Sequence, residues 1–419
     1  MLFDSKKHYN VVTSKDTNFA DALTASDAHD QSFKTHEFDD FNVHVIELTS
    51  AQAKKLADAG HEVEEDKTIK IPPVVRSKVK KHSDTAAVKV DAAAPTILTD
   101  IPQYSGTLKN QDVVVMDTRI YPDSPALKDF KVVIQQSFVG DTSCYPHGTE
   151  VASVIAREFD PAKTDLTFYN FAVFDCDGSA SVSVLVEAVK AIIAFHKQKG
   201  NDRGLTVNFS GGGDFTNVLN KVFTQLPRNG INLVVAAGNS SKDCTTDSPA
   251  SASSHAGIIS AGATGNADYT AENGQTIAPY SNYAKKADCV TVYAPGCFEM
   301  LVPPKYDTEV ACGTSFASPL VTGTVLVAKE LNSKATPAQI KAERVESTVT
   351  VPAGEYGINM RAMTPELAFS FNAAKAKAES LADKAEAAGK AIKDATVDAA
   401  EHVSDEAHRA ERNVRHALS

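Results

Sequence analysis

The sequence predicts an α/β protein: a parallel sheet with helices on both faces over residues 105–370, preceded by a small α+β unit and followed by a helical tail. Three observations carry this expectation. From about residue 110 to 330, short apolar runs alternate with helical segments, as in a parallel sheet covered by helices. Before residue 73, strand-like runs frame a capped helix. After residue 371 the chain turns Ala-rich, with strong helix propensity and weak hydrophobic drive.

In the first unit (8–73), HYNVVTS (8–14) reads as a strand and ADALTASDAH (20–29) as a short helix. FNVHVIEL (41–48) alternates with period two and reads as a strand. TSAQAKKLADAG opens with a Thr49…Gln52 capping box and closes at Gly60, so it reads as a helix. HEVEEDKTIKI (61–71) reads as one further strand, and Pro72 and Pro73 end the unit. Residues 74–104 then read as a linker. Its basic run VVRSKVKKH (74–82) has the look of a solvated segment, and stretches of this kind are where chains are cut.

In the main domain, DVVVMD (112–117), FYNFAVF (168–174), GLTVNFS (204–210) and INLVVAAG (231–238) are the expected buried strands. VLVEAVKAIIAFHKQ (184–198), TNVLNKVFTQL (216–226) and Phe316–Leu331 are expected helices, the last apolar on most faces. Functional residues of such sheets gather at the carboxyl ends of strands. Asp117, Ser210, Gly213 and Asn239 all stand there.

The tail (371–419) carries helical i,i+4 pairs such as Glu386–Lys390 and Glu411–Arg415. It reads either as a solvated helix or as a docking element for a partner or surface. A net charge of −11 argues against a nucleic-acid binder. No stretch is long and apolar enough to span a membrane. No apolar run of signal-peptide length opens the chain, which favours an intracellular protein, with secretion as the alternative. The six cysteines contain no C-x-x-C pair, so a zinc cluster is not expected. Cys144 and Cys312 read as small packing residues rather than redox controls.

Four neighbourhoods supply the groups that acyl transfer needs. VVVMDTRI places Asp117 at a strand end, and HGTEVASVIA places His147 at a helix start. VVAAGNSS places Asn239 after a strand, and CGTSFASPLVTG places Ser315 at the start of a buried helix. Serine needs a base to take its proton, and histidine serves near neutral pH. A carboxylate fixes the imidazole tautomer, and an amide holds the oxyanion. Each residue alone has a plainer reading: Ser315 and His147 as helix caps, Asp117 as a turn cap, Asn239 as a turn residue. Together, each in its matching neighbourhood, they point to a nucleophilic serine.

The chain resembles the subtilisin-like serine peptidases, and among them the proteinase K-like branch. The motifs are D-T-x-I at Asp117, H-G-T at His147, S-x-G-G at Ser210–Gly213, A-A-G-N at Ala236–Asn239 and G-T-S-x-A-S-P at Gly313–Pro319. SPAS (248–251), YSNYA (280–284) and APG (294–296) are weaker matches. The resemblance implies Ser315 as nucleophile, His147 as general base and acid, and Asp117 as its orienter. Asn239 and the Ser315 N–H would hold the oxyanion. The backbones of Ser210, Gly211 and Gly212, and of Gly178, Ser179 and Ala180 opposite, would pair with an extended substrate. The first unit resembles the family's inhibitory propeptide domain, a small ferredoxin-like fold whose end lies in the substrate cleft. Self-cleavage is then expected somewhere in 70–100. No cofactor is expected; some members bind calcium, but no run here specifies a site.

Departures from the family pattern are Arg119 in place of glycine, Pro146 in place of glycine, and Glu150 in place of the second histidine. Arg119 has two readings, pairing with Asp117 or facing solvent. Glu150 has two, raising the proton affinity of His147 or facing out. The expected function is a serine endopeptidase made as a zymogen, acting on protein or peptide substrates, with the first unit as its intramolecular inhibitor. The alternative is a catalytically weak or inactive protein of the same fold that binds peptides or anchors a partner.

Overall fold

The computed structural model describes residues 5–78, 101, 103–140, 146–200, 203–264, 277–285, 289–352 and 359–362, with backbone alone for 78, 349–352 and 359–362. The chain divides into two compact units, 1–369 and 370–419, and every described residue belongs to the first. The expected tail helix, Cys144 and residues 79–100 of the linker lie outside the described residues.

Among the described residues the main sheet has nine strands. From one edge they run Lys131–Ser137, Thr167–Ala172, Gln111–Asp117, Gly204–Phe209, Asn232–Ala236, Ile258–Thr264, Val292–Pro295, Asn359–Ala362 and Val349–Pro352. All neighbouring pairs are parallel except the last. Gln111–Asp117 and Asn232–Ala236 are buried along their whole length, because helices cover both faces. Their Val- and Leu-rich runs are the expected consequence.

Gln111–Asp117 pairs with the later strand Thr167–Ala172 on one side and the still later Gly204–Phe209 on the other. The chain leaves Gln111–Asp117 toward Lys131–Ser137 and leaves Gly204–Phe209 toward Asn232–Ala236 on the opposite side, which opens a crevice beside the carboxyl end of Gln111–Asp117. Asp117 stands at that end.

The helix Thr314–Leu331 runs through the core, with Ala317, Val321, Val325 and Ala328 packed against Val234, Ile259 and Val292. It begins two residues earlier than the sequence suggests, so Pro319 falls in the second turn. There proline leaves the carbonyl four residues back without its helical donor. The Ser210 hydroxyl fills that place, donating to the Ser315 carbonyl at 3.0 Å. Ser210 also meets Ser318 Oγ and Asn208 Nδ2, each at 3.0 Å.

The N-terminal unit is a four-stranded antiparallel sheet, ordered Phe33–Glu37, Phe41–Leu48, Lys7–Ser14, Glu62–Glu65, with helices Phe19–Ala25 and Ser50–Asp58. The Thr49–Gln52 capping box is present in both directions. Strand alternation sends Val11, Ile46 and Leu48 into the unit's own core. It sends Val12 and Val43 into a cluster shared with Val182, Val186 and Val189 of the helix Val182–Lys199. Both faces of this sheet are therefore covered. The run expected as one strand over 61–71 is two, Glu62–Glu65 and Thr68–Lys70, and the second leaves the unit to enter the crevice.

Two further findings differ from the sequence expectation. Residues 75–78 are not free linker: they form a strand antiparallel to Asp307–Cys312. Cys312 is not a lone packing residue but is bonded to Cys297, which faces it across the hairpin 297–312. A second disulfide joins Cys244 to Cys289, and Cys176 is disulfide-bonded too. Spacing alone did not reveal these pairs, because each is made by strand or loop proximity.

Candidate active site

Asp117, His147, Asn239 and Ser315 converge at the carboxyl end of the sheet, each delivered by a different element. Asp117 closes its strand and is fully buried. Its Oδ1 accepts from the Thr118 N–H at 2.7 Å and lies 2.8 Å from His147 Nδ1, with Oδ2 at 3.0 Å. The carboxylate therefore grips one ring nitrogen and fixes the imidazole plane. His147 starts the helix His147–Arg157, after Pro146. Gly148 follows it because space is lacking: a Cβ there would stand 2.3 Å from the Thr118 carbonyl oxygen. The His147 ring lies 5.8 Å from the Phe316 ring, next in the chain to Ser315. Ser315 is fully buried, and its Oγ donates to the Ser210 carbonyl at 3.4 Å.

Asn239 has a defined amide orientation. Its Oδ1 accepts from Thr314 N at 2.8 Å and Thr314 Oγ1 at 2.7 Å. Those donors turn Nδ2 toward the crevice, where it donates to the Pro73 carbonyl at 3.0 Å. A peptide carbonyl from the N-terminal unit thus sits at the Asn239 amide.

The segment reaching that point lies between two edges. Thr68–Lys70 pairs antiparallel with Ser179–Ser181, placing Ile69 opposite Ala180 and Lys70 opposite Ser179. Ile71 N donates to the Gly178 carbonyl at 2.8 Å. On the other side Lys70 and Gly212 exchange both backbone bonds, at 3.0 and 2.9 Å. Gly178, Ser179, Ala180 and Gly212 thus border an extended chain. Ser210 and Gly211 serve differently: Ser210 buttresses the helix of Ser315, and a Cβ on Gly211 would meet Phe174 at 2.4 Å. Gly213, absent from the expected pairing set, approaches the segment closely; its Cβ would lie 2.9 Å from Ile69 Cδ1.

Beside Pro72 and Pro73 is a cavity of about 210 Å³ lined by Gly212, Gly213, Ala236, Ala237, Ser248 and Ala250. Asp247 stands in its wall, 2.8 Å from Lys242 Nζ. Burial pushes the Asp247 carboxyl up, while Lys242 and Asn282 pull against that shift.

Two acidic residues tie the N-terminal unit to helix starts of the main domain. Glu64 accepts from Thr216 Oγ1 at 2.5 Å, Asn217 N at 2.9 Å and Val218 N at 3.3 Å, at the start of Asn217–Phe223. Asp66 accepts from Ser183 N at 2.8 Å and Ser183 Oγ at 2.6 Å, at the start of Val182–Lys199. Carboxylates are favoured there by the orphan N–H groups and the helix dipole. Sequence reasoning passed over both; the acid-rich run 62–66 was the available signal.

The departures resolve as follows. Arg119 is exposed, while Asp117 is buried against His147 and the Thr118 N–H. Glu150 does not face out; it is fully buried and carries a two-pronged bond to Arg76, at 2.8 and 2.7 Å. Among the described residues, the group with metal-ligand proximity is Asp243, Cys244 and Cys289, and its two sulfurs are bonded to each other. No described helix is long and apolar enough to cross a membrane.

Residues 109–394 match the sequence profile of the subtilase family. This chain belongs to the subtilase family. An extracellular serine proteinase of Thermus sp. (strain Rt41A) is 29% identical over 229 residues, covering 53% of this chain and 51% of that protein. A cuticle-degrading protease of Metarhizium anisopliae is 28% identical over 240 residues, covering 57% of this chain and 58% of that protein. The chain thus spans about half the length of the curated relatives it matches. Among solved structures, fervidolysin from Fervidobacterium pennivorans, described as a keratinolytic enzyme related to subtilisin, aligns with a TM-score of 0.63. It covers 88% of this chain and 62% of that one, and at 18% identity it establishes the subtilisin-like fold.

Proposed function

We propose that this subtilase is a serine endopeptidase made as a zymogen, with residues 8–73 as its inhibitory prodomain. The observation that carries the reading is the Pro73 carbonyl on Asn239 Nδ2, in a segment laid between two backbone edges beside Ser315. Ser315 Oγ attacks the carbonyl carbon while His147 takes the hydroxyl proton on Nε2. Asp117 holds the other ring nitrogen and stabilises the imidazolium. Asn239 Nδ2 and the Ser315 N–H receive the oxyanion. The tetrahedral intermediate collapses to an acyl-enzyme, with His147 returning its proton to the leaving amine. Water, activated by the same histidine, releases the acid. The cavity beside Pro73 takes the side chain of the residue that supplies the attacked carbonyl.

In this reading the first bond cut is Pro73–Val74. The test is the intact mass of the full chain after incubation, with the new N-terminus sequenced. The expected product begins at Val74 and is absent in Ser315→Ala. A product beginning elsewhere overturns the placement of the bond; no product, even after a trace of another protease, overturns the zymogen.

Two observations favour a second reading, a weak or inactive peptide-binding protein. Pro72 and Pro73 bring no N–H groups to the crevice edge, and Ser315 Oγ is bonded to the Ser210 carbonyl. A self segment of this kind is held without being readily cut. Persistence of the full-length chain alongside peptide binding supports it.

We also propose an oxidising compartment for this chain. Disulfides persist in oxidising environments. Cys244–Cys289 and Cys297–Cys312 favour a secreted or lumenal site over the intracellular one expected from the start of the chain.

A further inference from the structure

Beyond the Pro73 carbonyl the chain continues along a second binding surface. Val75–Lys78 pairs antiparallel with Asp307–Cys312, with Val75 opposite Cys312, Arg76 opposite Ala311 and Lys78 opposite Glu309. Arg76 enters a carboxylate pair. Nη1 bonds Glu150 Oε1 at 2.8 Å, Nη2 bonds Glu150 Oε2 at 2.7 Å, and Glu309 Oε2 lies 3.5 Å from Nη1. The Glu150 side chain is 0% exposed, that of Glu309 24% and that of Arg76 30%.

This is not an ordinary surface ion pair. Glu150 is wholly out of water on the rigid helix His147–Arg157, one turn from His147. Two parallel N–H···O bonds match a planar guanidinium, which an ammonium cannot reproduce. A buried carboxylate stripped of its partner is strongly disfavoured. The partner here comes from the segment lying in the path a substrate would follow, three residues past the carbonyl held by Asn239.

We propose that Glu150, with Glu309 beside it, recognises an arginine three residues beyond the attacked carbonyl, in a substrate strand laid along Asp307–Cys312. The inference rests on the peptidase reading and names its substrate class: extended chains carrying a downstream arginine. Arg76 is the first such arginine, supplied by the chain itself. A substrate with alanine there leaves Glu150 without its two-pronged partner, and one with glutamate adds repulsion.

The test uses peptides spanning residues 66–82, with Arg, Lys, Ala or Glu at the position of Arg76. They compete for casein hydrolysis by the processed wild-type enzyme. Losing one partner of a buried hydrogen-bonded charge pair sets the expected scale: Ki for the Arg peptide about thirtyfold or more below that for the Ala peptide. The Lys peptide falls between, and the Glu peptide is weakest. Glu150→Gln narrows the Arg/Ala ratio to about threefold or less, since a neutral amide forfeits the charge-assisted fork. Equal Ki values for the Arg and Ala peptides in wild type overturn the proposal, whether the carboxylate is unused or residues 74–78 keep it occupied. An unchanged ratio in Glu150→Gln overturns it too. If that variant does not fold, the wild-type series and Glu309→Gln, at a partly exposed site, carry the test. Loss of casein hydrolysis and of fluorophosphonate labelling in wild type marks failure of the peptidase reading instead. The same peptides bearing fluorescein then report binding by anisotropy, with the same ratios expected.

Discussion

Glu158 gives a prediction that can be worked from its surroundings. It follows the helix that begins at His147, and its side chain is fully buried. It packs so tightly on Gly323 that a Cβ there would stand 2.2 Å from Oε1. Neither carboxylate oxygen has a hydrogen-bond partner among the described residues. Burial holds the carboxyl well above its ordinary value of 4.5. Below pH 4.5 the group is protonated in both folded and unfolded chains, and stability is unaffected by it. Above pH 4.5 the unfolded chain releases the proton while the folded chain keeps it. Folding stability then falls by about 1.4 kcal/mol per pH unit until the folded group itself ionises. Glu158→Gln removes the titration with little change of shape. The assay is guanidinium denaturation from pH 4 to 8, with and without Glu158→Gln, in a Ser315→Ala background that prevents self-digestion. The stability difference between the two should grow in favour of Gln by about 1.4 kcal/mol per unit above pH 5. Parallel pH profiles would refute the claim that this carboxyl is kept neutral by burial.

Other predictions concern the site and the N-terminal unit. Asn239→Ala should lower kcat roughly hundred- to thousandfold, the scale set by the loss of one oxyanion-hole amide donor, as in subtilisin; an unchanged kcat on a peptide substrate contradicts its role. Gly148→Ala should drive the helix from the Thr118 carbonyl and part His147 from Asp117, lowering kcat on the order of hundredfold. Full kcat in that variant would show that the close approach does not position the imidazole. Glu64→Ala with Asp66→Ala, in the Ser315→Ala chain, removes five hydrogen bonds to two helix starts. Hydrogen exchange at Lys70 and Ile71 should quicken by about tenfold or more, on the scale of one to two charge-assisted bonds. Unchanged exchange there would mean the acids do not hold the segment in the crevice.

Much of this was legible because it is local. A strand buried on both faces must be apolar throughout, so VVVMD announced itself. The Thr49–Gln52 box spans four residues, and it formed as written. The convergence of Asp117, His147, Asn239 and Ser315 was readable because each brings its neighbours with it. What escaped depends on distant partners. FKTHE (33–37) has no apolar alternation, yet forms a strand because Phe41–Leu48 offers it an edge. VRSK reads as linker because its stabilisation comes from Asp307–Cys312 and from Glu150. The part Ser210 plays depends on Pro319, more than one hundred positions on, having no N–H to give. The Cys297–Cys312 bond depends on a hairpin register that spacing does not state.

The most direct measurement is labelling of the full chain by a fluorophosphonate probe, read by intact mass, on wild type and Ser315→Ala after a trace of activating protease. The account predicts one adduct on wild type, mapped to Ser315, and none on Ser315→Ala. Equal labelling of both, or none on a wild type shown to have lost residues 8–73, would contradict a nucleophilic Ser315.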